Sequence, residues 1–247
     1  PNISDIDLFN KNRKINKKRP DLLSKYDSSI NRSTLITAFT GAHGLTNGLD
    51  NLLKVAKILK AMNREDIKIL FIGEGISKNE LKKKAKTNSL NNCIFIDSMP
   101  KEKLAKMLNE SVHLGLMVLQ NIPEFYNSTS PNKFFDYLAC GLPVINNYPG
   151  WLSEIIEEKE LGFYVGPDNH KLFAQKLIEI ADNKEVLLKL SRNCIKYAEN
   201  FNQELLSNKF SLIVKRTFIE NKDRQFRYLL KKIYFFFKSL IDRVLAF

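Results

Sequence analysis

The sequence predicts an α/β fold: a Rossmann-like, doubly wound parallel sheet of about six strands, followed by a C-terminal amphipathic helix. Short, nearly continuous apolar runs alternate with segments of helical periodicity, as in parallel sheets that are covered by helices on both faces. Glycines and polar residues cluster directly after several of these runs. In doubly wound folds the carboxyl ends of the strands form the ligand-binding crevice, so this clustering also indicates where a ligand would bind.

The predicted strands are short apolar runs that end in polar or glycine-containing turns. They cover residues 34–40 (TLITAFT), 67–73 (IKILFIG), 93–96, 112–119, 143–147 and 162–165. Their lengths are those of buried strands rather than of helices.

The segments between the strands have helical spacing. Leu49, Leu52, Leu53 and Ala56, for example, recur on one face of a helix predicted over residues 47–62. The other predicted helices cover residues 78–87, 101–108, 152–158, 171–181, 184–200 and 203–220, and one more follows Pro131.

The segment STSPNKFFDYLACGLPV, residues 128–144, is predicted to form a helix whose N-terminus could bind an anion. Ser130 is the predicted N-cap, Pro131 the first helical residue and Gly141 the left-handed stop. Lys133 places a cation in the first turn, where the helix dipole favours negative charge. A bound phosphate between the lysine and the exposed N–H groups would explain this placement. The alternative is an ordinary surface helix.

The composition is that of a globular protein, with 247 residues, 44% hydrophobic and 27% charged. The three cysteines, Cys93, Cys140 and Cys194, lack metal-ligand spacing and favour a reducing compartment. The N-terminus has no signal-peptide core, and no apolar run of about eighteen residues occurs. These features predict a cytoplasmic protein without a spanning helix.

The net charge of +12 is concentrated at both ends of the chain. Six cations lie between Lys11 and Arg19, and seven cations face two acids in residues 222–247. Within that tail an aromatic-rich apolar stripe, from Phe226 to Val244, opposes a cationic face. This pattern favours a helix that lies in the interface of an anionic membrane, with packing on protein as the alternative. Nucleic acid is the least favoured partner, because the basic ends contain no known nucleic-acid module.

Four motifs resemble, in order, the C-terminal donor-binding domain of GT-B glycosyltransferases, group 1 or family 4. They are GAHGLTNGLDNLL, IGEGISKNEL, SPNKFFDYLACGLPV and GWLSEI. The set looks most like bacterial enzymes that build surface polysaccharides. The resemblance implies an interdomain linker-like segment at residues 1–33, a donor-binding domain at 34–202, a crossover helix at 203–221 and the basic tail at 222–247. It also implies that the acceptor-binding domain, which precedes the linker in the family, is absent from this chain.

The resemblance assigns roles to individual residues. Asp136 matches the acid that binds the nucleotide ribose hydroxyls, and Lys133 is the candidate that stabilises the departing diphosphate. Ser128 stands where relatives often have a second acid that contacts the sugar, so this role would fall to Asn127 or Ser128. His43 and Asn47 stand where many relatives hold the diphosphate with a basic pair. The remaining predicted donor-binding positions are Gly41, Gly73, Glu74, Met99, Ser130 and Gly150.

The resemblance therefore implies a retaining transfer from a nucleotide-sugar, UDP-linked by preference, to a lipid-linked acceptor at the inner face of the membrane. No metal and no cofactor are expected, since a fixed cation and helix N–H groups would absorb the developing charge. Two alternatives stay open. One is a non-catalytic nucleotide-sugar-binding fragment or one subunit of a split enzyme, and the other is a sugar-nucleotide epimerase.

Overall fold

The computed structural model describes residues 8–9, 19–126, 129–201, 203–220 and 224–245. Tertiary contacts divide the chain into two compact units, Pro1–Phe201 and Asn202–Phe247. The first unit contains the sheet and its helices, and the second contains two helices.

The first unit is built on a six-stranded sheet in which every pair of neighbours is parallel. The strands are β1 (Leu35–Thr40), β2 (Ile67–Ile72), β3 (Cys93–Ile96), β4 (Leu114–Met117), β5 (Val144–Asn146) and β6 (Gly162–Tyr164). Their order is β3-β2-β1-β4-β5-β6. The predicted fold class is therefore confirmed, and the strand order reverses between β1 and β4, which is where such sheets open a crevice.

Seven helices connect and flank these strands within the described part of the first unit. They are α1 (Asp50–Ala61), α2 (Lys78–Thr87), α3 (Lys101–Ser111), α4 (Asn132–Ala139), α5 (Trp151–Glu158), α6 (His170–Asp182) and α7 (Lys184–Ala198). The second unit contains α8 (Gln203–Glu220) and α9 (Arg224–Leu245). None of the helices, as far as they are described, is both long and apolar enough to cross a membrane.

Several element boundaries differ from those predicted. The helix predicted from residue 47 begins at Asp50, because Gly48 has a left-handed φ of 56° and separates it from a short 3-10 turn at Leu45–Asn47. The strand predicted over residues 112–119 is shorter at both ends. The helix predicted over residues 184–200 ends at Ala198 and continues as a 3-10 turn at Glu199–Phe201.

The core lies between the sheet and the helices. Every residue of β1, β2, β4 and β5 is buried, which explains why these strands read as continuous apolar runs rather than alternating ones. Helix α1 packs against α6, and α4 packs against α7. Helix α4 buries Phe134, Phe135, Tyr137, Leu138 and Ala139, so most of its surface faces the interior.

The Tyr137 side chain fixes α4 to β1. Its hydroxyl accepts a hydrogen bond from the Thr40 backbone N–H at 2.8 Å and donates one to the Ala38 carbonyl at 3.1 Å. The ring lies against Gly115 of β4, where a Cβ atom would come within 2.3 Å of it. Tyr137 thus sets the position of α4 at the point where the strand order reverses.

We predict that Tyr137→Phe lowers the free energy of unfolding by about 1–3 kcal/mol, because it leaves the buried Thr40 N–H without its acceptor. Urea denaturation of the whole chain measures this change. Tyr148→Phe is the matched control, since Tyr148 is also buried and its hydroxyl has no hydrogen-bond partner among the described residues. Equal loss of stability in both variants would contradict the anchoring role of the Tyr137 hydroxyl.

Candidate functional site

The candidate site lies at the carboxyl ends of β1 and β2 and at the start of α4. Backbone hydrogen bonds continue beyond the strands here, from the Gly41 N–H to the Ile72 carbonyl at 3.0 Å and from the Gly73 N–H to the Ile96 carbonyl at 3.1 Å. These bonds join the loop after β1 to the end of β2, and the loop after β2 to the end of β3, at this edge of the sheet.

Two glycines permit this close approach of the loops. Gly73 has a φ of 145°, and a Cβ atom there would lie 2.0 Å from the Gly41 carbonyl oxygen. Gly75 has a φ of 154°, and a Cβ atom would lie 2.5 Å from the His43 carbonyl oxygen. Side chains at either position would separate the loops, so these glycines are required for the backbone arrangement.

His43 is enclosed by the loops that it joins. Its backbone N–H donates to the Glu74 carbonyl at 2.7 Å, and its own carbonyl accepts from the Ser77 N–H at 3.0 Å. The ring is fully buried, about 6 Å from the Phe39 and Phe71 rings, and neither ring nitrogen has a partner among the described residues. Burial lowers the pKa of His43 to about 4, and the ammonium groups of Lys78 and Lys133 lower it as well. His43 is therefore neutral at pH 7.

Lys133 lies in the first turn of α4, and its ammonium group points back toward β1. The Nζ atom sits 3.7 Å from the centre of the Phe39 ring, and it would lie 3.5 Å from a Cβ atom at Gly41. No acidic side chain among the described residues pairs with it. Burial lowers the pKa of Lys133 from its ordinary 10.5 to about 7. A lysine in this setting gains charge at neutral pH when an anion arrives.

Lys78, at the start of α2, is a functional candidate that the sequence reasoning missed. Its ammonium group is buried and donates hydrogen bonds of 2.6 Å to both Glu74 and Asp97. Burial opposes the charged form, but the two carboxylates outweigh it and raise the pKa of Lys78. The pairing ties the loop after β2 to the loop after β3 and occupies the Glu74 carboxylate, which was predicted to contact the nucleotide.

The start of α4 differs from the prediction in one respect. The helix begins at Asn132, and its N-cap is Pro131 in an extended conformation rather than Ser130. Proline supplies no capping side chain, so no side-chain hydrogen bond caps the first turn. Gly141 ends the helix region with a φ of 65°, as predicted. Asp136 lies half-buried one turn after Lys133 on the same helix face.

The remaining predicted residues that the structure describes include one each in the loops after β1, β3 and β5. The Asn47 side chain donates to the Ala42 carbonyl at 2.8 Å, which stabilises the loop after β1. Met99 is half-buried in the loop after β3, and Gly150 is the N-cap of α5 with a φ of 115°. Asn127 and Ser128 lie outside the described residues.

Two further contacts, not predicted from the sequence, join the loops on the β4 and β5 side. The Asn147 side chain accepts from the Leu119 N–H at 2.9 Å and donates to the Leu119 carbonyl at 3.1 Å. The Trp151 indole N–H donates to the Thr129 carbonyl at 3.1 Å. These contacts tie the segment before α4 to the loop after β5.

A cavity of about 370 Å³ adjoins the loop after β1 and is lined by that loop, the starts of α1 and α2, and residues 120–125. Neither Lys133 nor Asp136 lines it. A larger cavity of about 550 Å³ lies at the opposite, amino-terminal edge of the sheet, beside Lys68 and Asp27. The part of the chain that the structure describes contains no group of His, Cys, Asp and Glu side chains that could hold a metal ion.

The fold and these loops define a Rossmann-like domain whose strand order reverses between β1 and β4. Residues 24–201 match the protein family described as glycosyl transferases group 1. The chain therefore belongs to this family. No curated protein sequence matches the chain at a significant level.

Solved structures share this fold. The C-terminal domain of a group 1 glycosyl transferase, LpcC from Francisella tularensis, matches with a TM-score of 0.57 and 18% identity, covering 84% of this chain and 98% of that one. WaaG, a glycosyltransferase involved in lipopolysaccharide biosynthesis, matches with a TM-score of 0.64 and 14% identity over 83% of this chain and 52% of its own. HepE from Anabaena, solved with UDP and glucose, matches with a TM-score of 0.68 and 14% identity over 87% and 55%. The chain thus spans about half the length of WaaG and of HepE.

We predict that His43 stays neutral well below its ordinary pKa of 6.5. Because the folded pKa is about 4, the unfolded chain takes up this proton first as the pH falls. The contribution of His43 to stability is therefore present above about pH 6.5 and is lost as the pH falls toward 4. Imidazole NMR signals should show neutral His43 at pH 5. The urea midpoint should fall more between pH 7 and 5 in the wild type than in His43→Leu, and an equal fall in both would contradict the prediction.

Proposed function

We propose that this chain is the donor-binding half of a retaining glycosyltransferase that takes its sugar from a UDP-linked donor. The observation that carries the proposal is the Lys133 ammonium group, which lies without an acidic partner among the described residues at the strand-order reversal of a group 1 glycosyl transferase domain. A diphosphate is the anion that every nucleotide diphosphate sugar would bring to this position.

The diphosphate would lie between Lys133 and the first turn of α4. The helix dipole adds positive potential at this first turn, where the Phe134 N–H donates to the Pro131 carbonyl at 3.1 Å. Lys133 adds a full charge on the same side when it is protonated. The neutral His43 ring offers one N–H donor and one acceptor in the same loop, without a competing partner among the described residues.

The nucleotide ribose would lie further along α4, next to Asp136. Lys133 and Asp136 are three residues apart, which corresponds to about 4.5 Å along the helix axis. This separation suits a diphosphate and the ribose attached to it. A carboxylate accepts hydrogen bonds from two adjacent hydroxyls, so Asp136 would fix the orientation of the nucleoside.

In the transfer step the bond between the sugar and the diphosphate breaks, and negative charge grows on the departing diphosphate. A cation and oriented amides that are already in place stabilise this charge without reorganisation. Lys133 would serve this role, and we expect no metal. Met99 and Glu74 would be peripheral to the step, and Gly41, Gly73 and Gly150 would shape the surface.

The proposed acceptor is supported by the similarity to an enzyme of lipopolysaccharide biosynthesis. WaaG is described as involved in lipopolysaccharide biosynthesis, and HepE was solved with UDP and glucose. By analogy we propose a lipid-linked acceptor in bacterial surface polysaccharide synthesis, with the acceptor-binding half supplied outside the donor domain. The second candidate is a nucleotide-sugar-binding module or one subunit of a split enzyme. Hydrolysis of UDP-sugar by the chain alone would favour the enzyme, and binding without turnover would favour the module.

We predict that calorimetric titration detects UDP binding to the wild type and that Asp136→Asn weakens it at least tenfold, because the neutral amide cannot accept both ribose hydroxyls as well. Titration of GDP in parallel tests the base. Asp182→Asn is the matched control, since Asp182 pairs with Arg64 at the end of α6. Equal UDP affinity in the wild type and Asp136→Asn would remove Asp136 from the site.

We predict that UDP binding weakens about tenfold between pH 7 and pH 8.5, because the pKa of Lys133 in the empty protein is about 7. Below this pH the ammonium group is already charged, and above it each binding event must take up a proton. Lys133→Arg keeps its charge throughout, so its affinity should change less than about twofold over the same range. Calorimetry in two buffers of different ionisation enthalpy measures the proton uptake. A wild-type affinity that does not depend on pH would show that Lys133 does not contact the diphosphate.

A further inference from the structure

The unit of residues 202–247 exposes more large apolar side chains than the rest of the described chain. Eleven large apolar side chains in its described part are at least 40% exposed, against five in the described part of the first unit. These are Phe210, Leu212 and Ile213 of α8 and Tyr228, Leu229, Ile233, Tyr234, Phe235, Phe236, Phe237 and Ile241 of α9. An apolar surface of this size requires a partner.

Helix α9 has an apolar side and an opposite side that carries lysines. Leu229, Ile233, Phe236 and Phe237 follow the spacing of one helical face. The opposite side carries Lys231 and Lys238, with Phe235 between them. Helix α8 contacts α9 through the rings of Phe210 and Phe237, whose centres are 6.0 Å apart, and both rings still remain more than 40% exposed. Pairing of the two helices therefore does not cover the apolar face.

The charge of this unit is strongly positive. Residues 202–247 contain ten Lys and Arg against four Asp and Glu, so their net charge of +6 is half of the chain's +12. Three lysines of α9, Lys231, Lys232 and Lys238, are exposed, and none of them forms an ion pair with a described residue. A partner that covers the apolar face must therefore also accept these cations.

We propose that α8 and α9 bind the surface of an anionic lipid bilayer, with α9 lying parallel to the membrane plane and its Leu229, Ile233 and Phe236 side inserted among the lipids. Aromatic and aliphatic side chains beside lysines fit the boundary between acyl chains and anionic headgroups. Lys232 flanks the inserted side, and Lys231 and Lys238 lie on the opposite side, from which their long stems would extend toward the headgroups. A spanning orientation does not fit, because no described helix is apolar enough to cross. This proposal does not depend on the proposed donor site.

The first experiment measures co-sedimentation of the full chain with vesicles of phosphatidylglycerol and phosphatidylcholine in equal amounts, and with vesicles of phosphatidylcholine alone. We expect binding to the anionic vesicles that weakens with added salt. The double variant Lys231→Glu/Lys238→Glu should bind at least tenfold more weakly. The control Lys83→Glu/Lys86→Glu changes the net charge equally on exposed positions of α2 and should bind like the wild type. Equal binding to both kinds of vesicle, or no binding, would overturn the proposal.

A second experiment tests the orientation of α9. Ile233→Trp places a fluorescent probe on the proposed lipid side, and Phe235→Trp places one two residues away on the opposite side. With the signal of Trp151 subtracted by reference to the wild type, brominated lipids should quench the probe at 233 several-fold more than the probe at 235. Equal quenching would overturn the in-plane orientation. UDP titration of the same variants without lipid should match the wild type, so failure of membrane binding and failure of the donor site are distinguished.

Discussion

The candidate site depends on the two hydrogen bonds that the Tyr137 hydroxyl forms with β1. The hydroxyl joins α4 to the last residues of β1 through the Thr40 N–H and the Ala38 carbonyl. The ring fits only because Gly115 has no side chain. These contacts hold α4 in a fixed position relative to β1. In that position Lys133, in the first turn of α4, reaches the Phe39 ring and the Gly41 backbone. A shift of α4 by one residue would move the ammonium group about 1.5 Å along the axis and rotate it away from β1.

The same edge of the sheet contains two lysines that differ in their electrostatic state. The carboxylates of Glu74 and Asp97 neutralise the ammonium group of Lys78, and these two ion pairs join two loops. Lys133 lies against the Phe39 ring instead, a contact that is worth roughly 0.5–2 kcal/mol, and no carboxylate among the described residues neutralises it. Its charge is therefore available to a ligand. His43, neutral and enclosed by the loops that Gly73 and Gly75 bring together, adds hydrogen-bonding capacity without adding charge that would compete.

Much of this arrangement could be predicted from the sequence, because the buried strands and amphipathic helices have distinct periodicities. The periodicity also placed Lys133 and Asp136 on one side of α4. What it could not reveal depends on contacts between distant segments. The left-handed Gly48 interrupts a continuous helical pattern, and Pro131 takes the cap position that Ser130 was expected to fill. The burial of Lys78 and His43 follows from the packing of neighbouring loops, for which a single sequence offers no signal beyond the glycines themselves.

The burial of Lys133 explains how one side chain can be compatible with both an empty and a filled site. An isolated ammonium group that stayed charged in this position would destabilise the empty domain, because burial lowers the pKa of Lys133 to about 7. Near that pH, however, the neutral and charged forms are equally populated, so charging the group costs less than about 1 kcal/mol. A diphosphate bound as we propose would therefore recruit the charge almost without penalty, whereas a neutral ligand of the same shape would gain nothing from it. If Lys133 binds the diphosphate as we propose, selectivity for an anion would arise from the pKa of this lysine and from the Tyr137 contact that holds α4 against β1.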